Sequence, residues 1–169
     1  EPGVDINERN DICCPQLRAI DGVNPMDESF VYARSAGITC VCTGPGSANV
    51  LGGTFTAIKT AGTRIDDMIV KKEAAMKCAF GENPKRCYAS KCDSSRMTTA
   101  AILREALMKA RLYLQKKEAA GDDVFRQPAF DMKLEALIPV LRGQIPLKAH
   151  AHRADDIFTA IRIADEFGV

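Results

Sequence analysis

The sequence has no tryptophan, only three tyrosines and only two histidines, His150 and His152, placed two apart. No apolar run approaches the ~18 residues of a membrane span. No basic segment followed by an apolar stretch opens the chain, so nothing reads as a secretory signal. Charge of one sign is also missing. The formal net charge is +1, which supplies no electrostatic reason to bind nucleic acid or an anionic membrane surface. Neither a G-x-G-x-x-G nor a P-loop pattern is present, and no segment is repeated or of low complexity. What remains is an ordinary globular composition, 46% hydrophobic and 27% charged over 169 residues. That length suits one domain, or a large piece of one, and residues 1–169 read as a single segment. The first residue is Glu1 rather than Met, so the chain is expected to be processed or an excerpt.

Seven cysteines are present: Cys13, Cys14, Cys40, Cys42, Cys78, Cys87 and Cys92. The number is odd and no pair is spaced C-x-x-C, so neither a disulfide framework nor a zinc knuckle is indicated. Adjacent Cys13 and Cys14 are poorly placed to share one metal ion. Cys40 and Cys42 lie in an apolar run and are expected to pack as small hydrophobes in a buried strand. Reduced thiols in a cytoplasmic protein are the expectation.

Local signals divide the chain into elements. Asp27 can cap a short helix over 27–36, with Gly37 beyond its end. A strand is predicted over 38–43, then a turn-rich loop, Gly44-Pro45-Gly46-Ser47-Ala48-Asn49. Further strands are predicted over 54–59 and 74–80, and 65–70 fits either a strand or a helical turn. The longest helix is predicted over 95–120, with Leu103, Leu107, Ala110 and Leu114 on its inner face and Gly121 at its end. A second helical stretch over 131–142 should bury Met132, Leu137 and Leu141 and be shortened by Pro139. A strand over 145–150 and a helix over 155–167, burying Ile157, Ile161 and Ala164, complete the order. Strands alternating with amphipathic helices predict an α/β fold with parallel strands.

Three constellations carry candidate chemistry. Lys148-Ala149-His150-Ala151-His152 sits where a strand passes into a helix, the edge at which α/β folds bind ligands. Imidazole is a common metal ligand, and i, i+2 residues share a strand face; taken alone, an isolated H-x-H reads first as polar loop residues. Lys77 lies inside the apolar Met76-Lys77-Cys78-Ala79-Phe80, where an ammonium is costly to bury; taken alone, it reads first as an edge-strand lysine reaching solvent. Nearby Glu82 and Arg86, in Gly81-Glu82-Asn83-Pro84-Lys85-Arg86, could touch a substrate or be simply solvated. Loop 44–49 could turn backbone N–H groups towards a phosphate, although Pro45 has none to offer and a structural strand-to-helix turn is the first reading.

In their order and joint spacing these segments resemble the imidazolonepropionase-related branch of the metal-dependent amidohydrolases. The resemblance places Gly37-Ile38-Thr39-Cys40-Val41-Cys42-Thr43 and the following loop at the second barrel strand. It places Ala75-Met76-Lys77 through Arg86 at the fourth strand, and Lys148 through Ile157 with Ala160-Ile161-Arg162-Ile163-Ala164 at the fifth strand and helix. It also takes in Leu17-Arg18-Ala19-Ile20-Asp21 and Arg96-Met97. It implies a partial (β/α)₈ TIM barrel, roughly strand 2 to helix 5, with one or two divalent metal ions, usually zinc, at the strand ends. It implies hydrolysis of a C–N bond in a small-molecule amide, lactam or cyclic amide. His150 falls on the fifth-strand metal ligand and Lys77 on a lysine that is carboxylated and bridges two metals in binuclear members. His152, Glu82 and Arg86 fall beside the substrate or behind the metal.

The family's first-strand H-x-H, sixth-strand His and general-base Asp have no counterpart here and are expected outside this chain, which taken alone should be inactive. An apolar patch is then expected where the rest of the barrel would pack, and with it association into a homo-oligomer. Two other readings stand beside this one. One is a small α/β module whose 44–49 loop holds a phosphate without a metal. The other is an interaction domain that needs a partner.

Overall fold

The computed structural model describes residues 5–91 and 94–169; Cys92 lies outside them. Four strands form one sheet in the order β1-β2-β3-β4, with β1 at Cys40–Thr43, β2 at Leu51–Lys59, β3 at Ile69–Ala79 and β4 at Leu147–His150. The α/β expectation holds, but the strand directions differ from it. β1 pairs antiparallel to β2 and β2 antiparallel to β3; only β3 and β4 run parallel. No helix intervenes between β1 and β2, so loop 44–49 joins two strands rather than a strand and a helix. The β2–β3 connection holds a single helical turn, α2 at Ile65–Met68, which resolves the ambiguity of 65–70.

Cap chemistry sets the helix ends. The Asp27 carboxylate accepts from the Ser29 N–H at 2.9 Å and starts α1, Glu28–Ser35. Gly37, at φ +80°, lies just past its end, in a region that side chains avoid. Between β3 and the longest helix comes α3, Glu82–Cys87. The longest helix, α4 at Arg96–Ala120, begins in a reciprocal cap: Ser95 Oγ accepts from the Thr98 N–H and Thr98 Oγ1 from the Ser95 N–H. α5, Met132–Leu141, stops two residues after Pro139, whose ring removes one helical N–H and whose carbonyl instead accepts from the Gln144 N–H at 2.8 Å. α6 spans Ala154–Phe167.

The main core lies between one face of the sheet and α4, α5 and α6. Leu51, Met76 and Cys78 point into it from the strands; Leu103, Leu107, Ala110, Leu137, Val140, Ile163 and Phe167 meet them from the helices. A smaller core under α1 joins Phe30, Ile58 and Met68. Three expected faces are corrected. β1 is an edge strand, and Cys40 and Cys42 are exposed rather than buried. Met132 is exposed while Leu137 is buried. α6 turns Ile163 and Phe167 inward and leaves Ile157, Phe158 and Ile161 exposed. Its apolar residues form two neighbouring stripes, and only packing decides which one is covered. No helix is long and apolar enough to cross a membrane, among the described residues.

Candidate functional site

The site is built where β3 and β4 end side by side. Their parallel register pairs Lys77 with Lys148 and Ala79 with His150. Strand alternation sends Met76 and Cys78 into the helix-covered core, so Lys77 stands on the opposite face, which it shares with Lys148 and His150. β3 is a central strand, flanked by β2 and β4. Lys77 is therefore no edge lysine reaching solvent, and is only 6% exposed. No ion pair to it exists among the described residues. Burial lowers its pKa from the ordinary lysine value, and the charge of Lys148 pushes the same way against the opposing effect of Cys78. Lys148 itself leans over the Phe55 ring, 5.4 Å from the centroid.

Gly52 packs against both Lys77 and Pro45. A Cβ at that position would sit 3.4 Å from Lys77 Cγ and 3.2 Å from Pro45 Cβ. Gly52 also lines a cleft of about 810 Å³, together with Asn7, Leu17, Thr43, Gly44 and Pro45; Lys77 and His150 are not among its lining residues. Its volume is of the size that small-molecule sites take.

His150 is half-buried at the end of β4. Burial lowers its pKa below the usual histidine value, aided by the charges of Lys77 and His152, so the neutral imidazole is favoured. The Asn83 amide nitrogen lies 3.1 Å from His150 Nε2, and donates to it when the ring proton is on Nδ1. The backbone carbonyl of His150 accepts from the Phe80 N–H at 2.8 Å, fastening the strand end. His152 is exposed, its ring 4.5 Å from that of His150 at 72°. The structure thus brings Lys77, His150 and His152 to one place.

Glu82 and Arg86 sit on the neighbouring α3. Glu82 accepts from Arg96 at 2.7 Å and pairs with Lys85 at 3.2 Å; those two partners hold its carboxyl below the usual range. Arg86 is exposed. Loop 44–49 is engaged elsewhere: the Gly46 N–H donates to the Ile6 carbonyl at 2.7 Å and the Ala48 N–H to Asn7 Oδ1 at 3.1 Å. With those donors taken and Pro45 lacking one, little of the loop is left to cradle a phosphate.

Residue-by-residue reading passed over three side chains. Asn83 touches His150 directly. Arg96 bridges Glu82 to Asp156, which is 3% exposed. One signal was available in the sequence: Arg96 follows the cap Ser95, so a cation stands at the positive end of a helix, where the dipole disfavours it.

Chemically, a neutral imidazole offers a lone pair, and an amine with a lowered pKa can add CO₂ to form a carbamate. Lys77 and His150 thus fit a divalent cation as two of its donors. No group of three His, Cys, Asp or Glu side chains converges among the described residues.

No protein-family model matches the chain. The chain is 30% identical over 184 aligned residues, 96% of its own length, to the amidohydrolase tasK of Hapsidospora irregularis, of which it spans 19%. Its fold superposes with a TM-score of 0.93 and 44% identity on the crystal structure of an amidohydrolase from Thermotoga maritima MSB8. That match covers 99% of this chain and 46% of the solved one. The chain thus spans less than half the length of either protein, and in sequence and in fold alike it is similar to amidohydrolases.

Proposed function

We propose that this chain is the central part of a metal-dependent amidohydrolase of the imidazolonepropionase-related branch, in which the parallel β3 and β4, followed by α6, belong to a (β/α)₈ barrel and the antiparallel β1 and β2 extend its sheet. The enzyme hydrolyses a C–N bond in a small amide, lactam or cyclic amide. The observation that carries the reading is Lys77, buried in a central strand with no carboxylate partner among the described residues and on one face with a neutral His150. A buried ammonium so placed only costs stability, which argues that the amine has another use. One or two divalent ions, zinc first, supply when bound a hydroxide near neutral pH and a polarised carbonyl.

This chain's residues divide the remaining work. His150 gives a ring nitrogen to the metal, and Lys77, as a carbamate, gives oxygens. His152 stands at the rim to meet the substrate, with Glu82 and Arg86 further out on α3. The other ligands and the general-base Asp come from outside these residues, so the chain alone is inactive. The exposed Ile157, Phe158 and Ile161 stripe supports that division, since the remaining barrel, or a second copy of the chain, would cover it. Six described cysteines with free thiols support a cytoplasmic setting.

The test is made in the full-length protein that carries this segment. Replacing Lys77→Ala and His150→Ala together is expected to abolish hydrolysis across a panel of amides and lactams and to lower the bound metal. Undiminished hydrolysis in the double variant would overturn the site assignment.

A further inference from the structure

Three local irregularities converge behind His150. Arg96 is the first residue of α4, a cation at the helix end where a cation is disfavoured. Asp156, in the first turn of α6, is buried, and its Oδ2 has no hydrogen-bond partner. Gly81 holds φ +76° and ψ −140°, and a Cβ there would lie 2.6 Å from that same Oδ2. Local rules broken together at one spot mark places where tertiary constraint or function has overruled propensity.

One guanidinium joins them. Arg96 Nε donates to Asp156 Oδ1 at 2.9 Å and Nη1 to Glu82 Oε1 at 2.7 Å. Glu82 is the chain neighbour of Asn83, and Asp156 lies six residues beyond His150, in the helix that follows β4. The two partners of the Asn83–His150 hydrogen bond therefore belong to two segments, and each segment is anchored to the same side chain. We infer that Arg96 is a positioning residue, tying Glu82 and Asp156 together so that Asn83 stays bonded to His150 Nε2 and the imidazole keeps one orientation. The inference deepens the proposed function and rests on it: with the proton held on Nδ1, the Asn83 amide keeps the Nε2 lone pair bare, and a metal would take that lone pair in place of the amide. The planar fork of arginine suits this role, because it donates in two directions from one rigid group, which a lysine ammonium at the end of a flexible stem does not.

In the full-length protein that carries this segment, ¹⁵N-histidine labelling reads His150 directly, because the ring signals lost in His150→Gln are its own. Long-range ¹H–¹⁵N spectra are recorded with chelator present, at alkaline pH where imidazoles are neutral. The native chain is expected to show one protonated and one bare ring nitrogen at His150, a single tautomer. Asn83→Ala and Arg96→Ala are each expected to give the averaged shifts of a mixed population while circular dichroism remains native, with Arg96→Lys in between. If Arg96→Ala does not fold, Glu82→Gln decides: averaged shifts support the clamp and native shifts refute it. Native His150 shifts in a folded Arg96→Ala chain, or in Asn83→Ala, would overturn the inference. The spectra need neither metal nor turnover, so their outcome is separate from that of the hydrolysis test.

Discussion

Lys77 and His150 stand on the same face of two adjacent parallel strands, His150 two residues beyond the register partner of Lys77, near enough for the ammonium to help lower the imidazole pKa. Among the described residues Lys77 has no carboxylate partner, so its ammonium and the imidazole of His150, held neutral beside it, form a costly pair. Energetically they are poorly placed, and a site that uses them must gain elsewhere what they cost in stability.

Replacing the lysine should expose that cost. Lys77→Met keeps the length of the stem and removes the buried ammonium. It is expected to raise the stability of the chain by about 1–2 kcal/mol at pH 7, because it relieves the desolvation of an unpaired buried charge. Urea denaturation of both proteins measures this. A loss of stability in the variant would mean that the ammonium has a favourable partner.

Gly81→Ala should act in the opposite direction. The position combines a backbone conformation reserved for glycine with a Cβ site 2.6 Å from Asp156 Oδ2. A cost of about 2–3 kcal/mol is expected from backbone strain and the displaced carboxylate. The change in urea midpoint reads it; a variant as stable as the parent would refute the close approach.

The α4–α5 contact should respond to acid. Glu135 accepts from the Tyr113 hydroxyl at 2.6 Å and pairs with Lys117. Burial pushes its carboxyl pKa up, but Lys117 and Tyr113 outweigh burial and bring it below 4.5. A carboxylate with a depressed folded-state pKa adds stability above its unfolded value, and that stability is lost as pH falls through the folded value. Glu135→Gln should therefore cost about 1 kcal/mol at pH 7, given the partial exposure of the pair. The difference from the parent should shrink below pH 4.5, which parallel denaturation series at neutral and acidic pH will show.

Thiol labelling should separate the cysteines by burial. Cys40 and Cys42 are exposed on the edge strand β1 and should react first with a maleimide. Cys78 is buried, and burial raises its pKa to about 12, so it should label only on unfolding. Peptide mapping by mass spectrometry gives the order directly. Early modification of Cys78 would contradict the packing of β3 against the helices.

Much of the local structure was legible in the sequence because it rests on neighbours a few residues apart. Asp27 caps its helix as expected, and Gly37 and Gly121 follow the helix ends with positive φ. The Leu103, Leu107 and Ala110 stripe of α4 is buried at its helical spacing. Each outcome follows from backbone donors at a helix end, or from a period of 3.6 residues, and needs no knowledge of the rest of the chain. Residue type alone favoured a loop histidine at His150 and an edge lysine at Lys77; it was the family resemblance that drew the two together.

Tertiary structure alone decided what depends on residues far apart. Strand direction is one case: β-branched runs fit either orientation, and only pairing makes β1 and β2 antiparallel and leaves Cys40 and Cys42 at an exposed edge. The covered stripe of α6 is another, since Ile157 and Ile161 match Ile163 and Phe167 in hydrophobicity and differ only in which of them meets the sheet. Lys77 is the third. Its sequence neighbours suggested an edge, whereas flanking by β2 and β4 makes it a buried amine beside His150. The bridge from Glu82 through Arg96 to Asp156 spans three helices, and charges so distant in sequence acquire a partner only when the chain is folded.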